Sequence, residues 1–390
     1  ATYDLLRHKA CGEPVEHINK VEKPTYALRV LNHWDNLDGT IERGYAGNSL
    51  WKWEEMPQTI SPRYEQYARA CASVGINASV LNNVNASPEM LATAYLQKVK
   101  ILADIFRPYG MKIYLCVNFA SPKELGKLPT ADPMDAKVIA WWQDKAKEIY
   151  QLVPDFGGFL VKANSEGKPG PCDYGRTHVE GANMLADALR PYGGIVMWRS
   201  FVYKAASEDR AMQALLEFES LDGQFRDNVI LQIKNGPVDF QPREPFNPLF
   251  GRMPHTQQMV EFQITQEYLG ASNHLFYQAP LWKECLDANT YCRQPDSSVK
   301  PTVAGITAQR LHGLSAIAGV ANIGDDINWC GHHFAQANWY AFGRLAWNEQ
   351  LTSEEIAKEW LKQTFTDNAD FVKSASQLML DTREALVNYM

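Results

Sequence analysis

The sequence predicts a (β/α)8 barrel of the TIM type followed by a short helical C-terminal extension. Three observations carry this expectation. Eight short β-rich apolar runs alternate with longer amphipathic stretches, the mark of repeated βα units. Successive runs start 30 to 56 residues apart, room enough for a crossover helix each time. Their hydrophobicity is continuous rather than alternating, as strands covered on both faces require, and a count of eight favours a closed cylinder over an open doubly wound sheet.

In chain order the runs are TYALRVL (25–31), INASVLN (76–82), KIYLCVNF (112–119), GGFLVKAN (157–164), GIVMWRS (194–200), NVILQIK (228–234), QMVEFQIT (258–265) and LSAIAGV (314–320). Between them, PEMLATAYLQKVKILADIFRPYG (88–110) repeats apolar residues at three- and four-residue intervals and stops at Gly110. AKVIAWWQDKAKEIYQLV (136–153) behaves alike. After Trp347 the pattern is purely helical and opens on a capping box at Thr352 or Ser353. The expected organisation is a tail or linker over 1–25, a catalytic barrel over 26–348 and the start of a helical region over 349–390.

Composition narrows the function. The 390 residues, 45% hydrophobic and 21% charged, exclude disorder, collagen and coiled coil. With 38 basic against 45 acidic residues the net charge is −7, which argues against a general nucleic-acid surface. No apolar run approaches the roughly 20 residues of a membrane span. No GxGxxG follows the first run and no GxxxxGK[ST] occurs, so nucleotide cradles lack support. Without CxxC, HExxH, HxH or GxSxG, neither a metal, nor a cofactor, nor a serine triad is expected. Of the seven cysteines most are expected as buried thiols; Cys285 and Cys292 lie near enough to pair in an oxidising compartment, which spacing alone does not establish. Neither end of the sequence identifies a compartment. The 11 Trp and 17 Tyr suit sugar stacking as well as core filling.

In such a barrel the active site lies where the C-terminal ends of the strands meet. Just past the runs stand Asn32-His33-Trp34-Asp35-Asn36, Asn82-Asn83-Val84-Asn85, Asn118, Lys162-Ala163-Asn164-Ser165-Glu166, Trp198-Arg199, Lys234 to Asp239, and Gln266-Glu267. Glycoside hydrolysis needs two carboxyl groups with different duties, and Glu166, Asp239 and Glu267 supply that inventory from three strands. Lys162, Arg199 and Lys234 come from three consecutive strands and form a positive arc in an acidic protein, which points to an anionic substrate. The competing reading is an ion-pair network in which each cation merely neutralises a carboxylate. One tension favours the first reading: a substrate carboxylate, once bound, would neutralise the cations and leave Glu166 able to hold a proton. His33 reads as a neighbour of the site or a partner for a sugar hydroxyl.

These residues resemble the α-glucuronidases of glycoside hydrolase family 67. The resemblance rests on LNHWDNLDGTIERGYAGNSLWKWE (31–54), GFLVKANSEGKPGPCDYGRTHVEGANMLADAL (158–189), MWRSF (197–201), QIKNGPVDFQPREP (232–245) and QITQEYLG (263–270), and covers about residues 26 to 350. It implies an inverting enzyme with Glu166 as general acid and Asp239 with Glu267 activating water. It further implies Lys162, Arg199 and Lys234 gripping the uronate, Trp34 contacting sugar and Val84 near the 4-O-methyl ether. The implied substrate is glucuronic acid or its 4-O-methyl ether on the terminal non-reducing xylose of xylo-oligosaccharides. Neither nucleic acid nor membrane is an expected partner, and dimerisation is expected through the C-terminal region of full-length relatives. Inversion requires the acid roughly 6.5 to 9.5 Å from the base, against about 5 to 5.5 Å for retention. Other readings are a non-catalytic uronate- or xylan-binding module, a retaining glycosidase and a uronate lyase on the same barrel.

Overall fold

Each of the eight apolar runs forms a strand in the computed structural model, which describes residues 2–201, 209–265, 267, 274–292, 300–321 and 323–389. The strands are β1 (Leu28–Asn32), β2 (Ala78–Val80), β3 (Lys112–Val117), β4 (Gly158–Val161), β5 (Ile195–Arg199), β6 (Val229–Lys234), β7 (Gln258–Gln263) and β8 (Ala316–Val320). All pair in parallel with their sequence neighbours, and β8 returns to β1 through five registered pairs from Leu28↔Ala316 to Asn32↔Val320, closing the barrel. Closure leaves no sheet edge to protect.

Strand parity divides the core in two. Leu28 and Val30, Ala78 and Val80, Leu160, Ile195 and Met197, Ile230, Met259, and Ala316, Ala318 and Val320 fill the barrel interior with Trp34, Val84, Tyr114, Cys116 and Phe240. The intervening strand residues, such as Leu31, Phe159, Trp198, Leu231 and Phe262, pack outward against the helices. Four tryptophans, Trp51, Trp142, Trp198 and Trp282, are fully buried, so much of the aromatic surplus is core. Continuous hydrophobicity in the runs reflects burial on both faces.

The helices begin and end where their chemistry directs. Asp135 caps Ala136–Leu152 by accepting from the N–H groups of Lys137 and Val138. Thr177 and Glu180 form a capping box at His178–Leu189, and Thr352 with Glu355 forms another at Ser353–Thr364. Gly110, at φ 70°, ends the segment after Thr93–Phe106 in the left-handed conformation that glycine tolerates best. Within the segment expected as a tail, Thr2–Ala10 is helical and lies on Ser353–Thr364, where Lys362 Nζ donates to the Cys11 carbonyl at 3.4 Å. All seven cysteines are free thiols, Cys285 and Cys292 included. Among the described residues no helix is long and apolar enough to cross a membrane.

Candidate active site at the mouth of the barrel

Inward parity carries polar residues to the C-terminal end of the barrel. Continuing the interior positions upward gives Asn32 on β1, Lys162 after β4, Arg199 on β5, Gln232 and Lys234 on β6, and Glu261 and Gln263 on β7, all buried. The same parity turns His33 outward. Its Nε2 meets Tyr67 Oη at 2.7 Å and its ring lies against Trp51, so His33 belongs to the layer between barrel and helices rather than to a sugar site. Trp34 and Val84 both lie in the interior cluster, 7% and 5% exposed. Gln266, named among the rim residues, lies outside the described residues.

Lys162 projects from the end of β4 with its side chain only 2% exposed. Its ammonium donates to Asn85 Oδ1 at 2.8 Å and contacts Glu166 Oε2. Glu166 sits in a turn where Asn164, Glu166 and Gly167 all have positive φ, at 52°, 51° and 73°. For Glu166 that geometry costs on the order of 1 kcal/mol and persists only where the surroundings impose it. Asn164 Oδ1 supplies part of the restraint by accepting from the Cys172 N–H at 3.0 Å.

Lys234, at the end of β6, donates to Asp239 Oδ1 at 2.7 Å and lies 3.4 Å from the centroid of the Phe201 ring and 4.7 Å from that of Phe240. Glu244 holds the loop that carries Asp239: its carboxylate accepts the N–H groups of Val238 and Asp239 at 2.9 Å. Burial raises the Glu244 carboxyl above its ordinary value, against those two bonds. Glu267 accepts from Arg43 Nε at 2.6 Å through one oxygen and from Gln263 Nε2 at 2.5 Å through the other.

Arg199 lies between the lysines, and its field reaches both. Its Nε and Nη2 donate to the two oxygens of Glu261 at 2.9 Å each, in a pair whose side chains are 2% and 0% exposed. The two-pronged face expected for a sugar carboxylate is thus engaged by a strand carboxylate. Burial chiefly, reinforced by Arg199, pulls both lysine ammoniums below the ordinary lysine value, while Glu166 and Asp239 oppose the shift at Lys162 and Lys234 respectively.

Each cation of the arc thus has a carboxylate partner. Beside these pairs, however, stand buried polar atoms without a partner among the described residues: both amide atoms of Asn32 and of Gln232, Trp34 Nε1 and Ser165 Oγ. Such groups cost about 1–3 kcal/mol each when left unsatisfied, and their concentration around one mouth suits a polar ligand.

Among the described residues one group has metal-ligand types close together, Cys172, His178 and Glu217. Trp198 Nε1–H donates to His178 Nδ1 at 3.2 Å, and an indole can only donate. The imidazole proton therefore sits on Nε2, directed at Glu217 Oε1 at 2.6 Å. The nitrogen that would face an ion is a donor, which suits a hydrogen bond and not ligation.

The residues past the strand ends are among those expected from the sequence; Glu261, Glu244, Glu42 and Arg43 are not. Glu261 was legible in principle: in QMVEFQIT it is the lone carboxylate of an apolar run, at the inward parity of Met259.

Comparison with known proteins matches residues 8–329 to the glycosyl hydrolase family 67 middle domain and residues 330–390 to the family 67 C-terminus. The chain is 44% identical over 401 residues to alpha-glucuronidase A of Emericella nidulans, covering 100% of this chain and 47% of that protein. It is 46% identical over 377 residues to an alpha-glucuronidase of Hypocrea jecorina, covering 94% and 44% respectively. The chain spans about half the length of the curated relatives it matches. In fold it is similar to a GH138 enzyme targeting pectin rhamnogalacturonan II, with a TM-score of 0.54 at 14% identity over 98% of this chain and 46% of that one.

Proposed function

This chain belongs to glycosyl hydrolase family 67, and on that premise we propose that it is the catalytic portion of an inverting α-glucuronidase. The substrate is glucuronic acid, or its 4-O-methyl ether, linked α-1,2 to the terminal non-reducing xylose of a xylo-oligosaccharide. The observation that carries this reading is the convergence at one barrel mouth of Lys162 with Glu166, Lys234 with Asp239, and Arg199 between the two lysines. Relatives named alpha-glucuronidase support the same activity.

In this reading the uronate carboxylate binds against Lys162 and Lys234, with Arg199 supplying positive field from below. Arriving negative charge competes with Glu166 for the Lys162 ammonium, which frees Glu166 to hold a proton. Glu166 then donates that proton to the glycosidic oxygen as the C1–O bond breaks, and xylose leaves with its O2 hydroxyl restored. Water attacks C1 from the opposite face, forming the new C–O bond while its proton passes to Asp239 or Glu267. Trp34 packs against the sugar and Val84 receives the methyl ether. The assignment of residues 26–348 as the catalytic barrel and 349–390 as a helical C-terminal region, with dimerisation through that region, belongs to the same proposal.

Incubation with aldotriuronic acid, followed by proton NMR from the first minutes, tests this. Released uronate appearing first as the β-anomer supports inversion. First appearance of the α-anomer would make the enzyme retaining, an unsaturated product absorbing in the ultraviolet would make it a lyase, and absence of release would remove the hydrolase reading.

A further inference from the structure

The turn after β1 folds back on itself. Asp35 and Ile41 form an antiparallel bridge, Asn36 N–H donates to the Thr40 carbonyl at 2.8 Å, and Glu42 N–H donates to the Trp34 carbonyl at 2.9 Å. Two consecutive side chains of this turn then reach two different parts of the mouth. Glu42 Oε2 accepts from Asn83 Nδ2 and Asn85 Nδ2, both at 2.9 Å, and Asn85 Oδ1 in turn accepts from Lys162, the partner of Glu166. Arg43 donates its Nε to Glu267. One dipeptide is tied to the surroundings of Glu166 and to Glu267 at once.

The backbone supports a purpose for this. Arg43 adopts φ 58°, a left-handed conformation that is unfavourable for a β-carbon-bearing residue. Half-exposed ion pairs contribute little stability, and the Arg43 side chain is 51% exposed, so the pair does not offset that cost by stability alone. What it does is geometric: with Gln263 on the other oxygen, both carboxylate oxygens of Glu267 are held at the mouth. Among the described residues, Glu42 and Tyr45 are further ionisable groups that act on Arg43.

We propose that Arg43 is a positioning residue, orienting Glu267 toward the attacking water from the loop after β1 while Glu42 anchors that loop to Asn85 and Lys162. The chemistry assigned to Glu267 rests on the proposed glucuronidase reading; the contact itself does not.

Two measurements on this chain separate them. In a 15N-labelled sample, the Nε–H resonance that disappears in Arg43→Lys identifies Arg43. Its exchange with water is expected to be slow in the wild type and to accelerate at least about tenfold in Glu267→Ala, as the loss of a charge-assisted bond requires. Unchanged exchange would overturn the proposal whether or not the chain is active. With aldotriuronic acid, Arg43→Met is expected to lower kcat about tenfold with KM within about twofold, because a misplaced base costs rate rather than binding. Arg43→Lys, which keeps a cation in reach, recovers part of the loss. An unchanged kcat in Arg43→Met would also overturn it. If the wild type itself releases no uronate, the hydrolase reading falls and the exchange result alone decides whether Arg43 holds Glu267.

Discussion

At the residue scale the decisive fact is the price of buried charge. Arg199 and Glu261 are almost wholly removed from water, and each tolerates burial because the other satisfies it. Glu261→Gln leaves the guanidinium uncompensated and is expected to lower stability by about 3–5 kcal/mol in urea unfolding, a loss that Arg199→Met combined with Glu261→Leu largely recovers. A loss under about 1 kcal/mol would mean that the pair is not closed in solution. The same residue shows where reading the sequence stops. Past the strand ends, Lys162, Glu166, Lys234, Asp239 and Glu267 stand out because polar groups follow apolar runs. Glu261 stands inside such a run, and nothing in one dimension says that its partner is a strand-five arginine 62 positions away. His33 misled for the opposite reason: it is adjacent in sequence to two inward residues, Asn32 and Trp34, and its own parity sends it to Tyr67.

At the element scale, all eight strands were legible, since burial on both faces writes itself as unbroken hydrophobicity. The structure trims many of the run ends by one to three residues, keeps others unchanged, and extends β1 by one residue to Asn32. Loops were less legible. The loop after β6 is shaped by Glu244 gripping the backbone of Asp239, and the turn after β4 by the positive φ of Asn164, Glu166 and Gly167, features that no periodicity announces. Strand β4 depends on a glycine for a reason the sequence does not display. Gly158 has φ 136°, and a Cβ there would collide with the backbone of Ile195, its partner on β5. Gly158→Ala is therefore expected to cost at least about 3 kcal/mol or to prevent folding, measured by thermal and urea denaturation. A variant as stable as the wild type would show that the start of β4 adapts without strain.

At the scale of the whole molecule, a chain of net charge −7 concentrates Lys162, Arg199 and Lys234 at one end of a closed barrel. An acidic surface repels anions at long range, whereas within the mouth these three cations, each facing a carboxylate, offer an arriving anion local partners for which it must compete. Both mouth lysines are pulled below the ordinary lysine value by burial, so their charge is the part of the site most open to titration. The sign follows directly. A ligand carboxylate favours the protonated lysine, so binding takes up protons where the free lysines have begun to lose them, and affinity falls as pH rises through that depressed range. That this mouth seizes an acidic sugar is measured by titration calorimetry with D-glucuronate. Binding is expected at about pH 7, with progressive weakening toward about pH 10, proton uptake visible in buffers of different ionisation enthalpy, and no competition from D-glucose. Absence of binding at neutral pH, or an affinity indifferent to both pH and the sugar carboxylate, would contradict it.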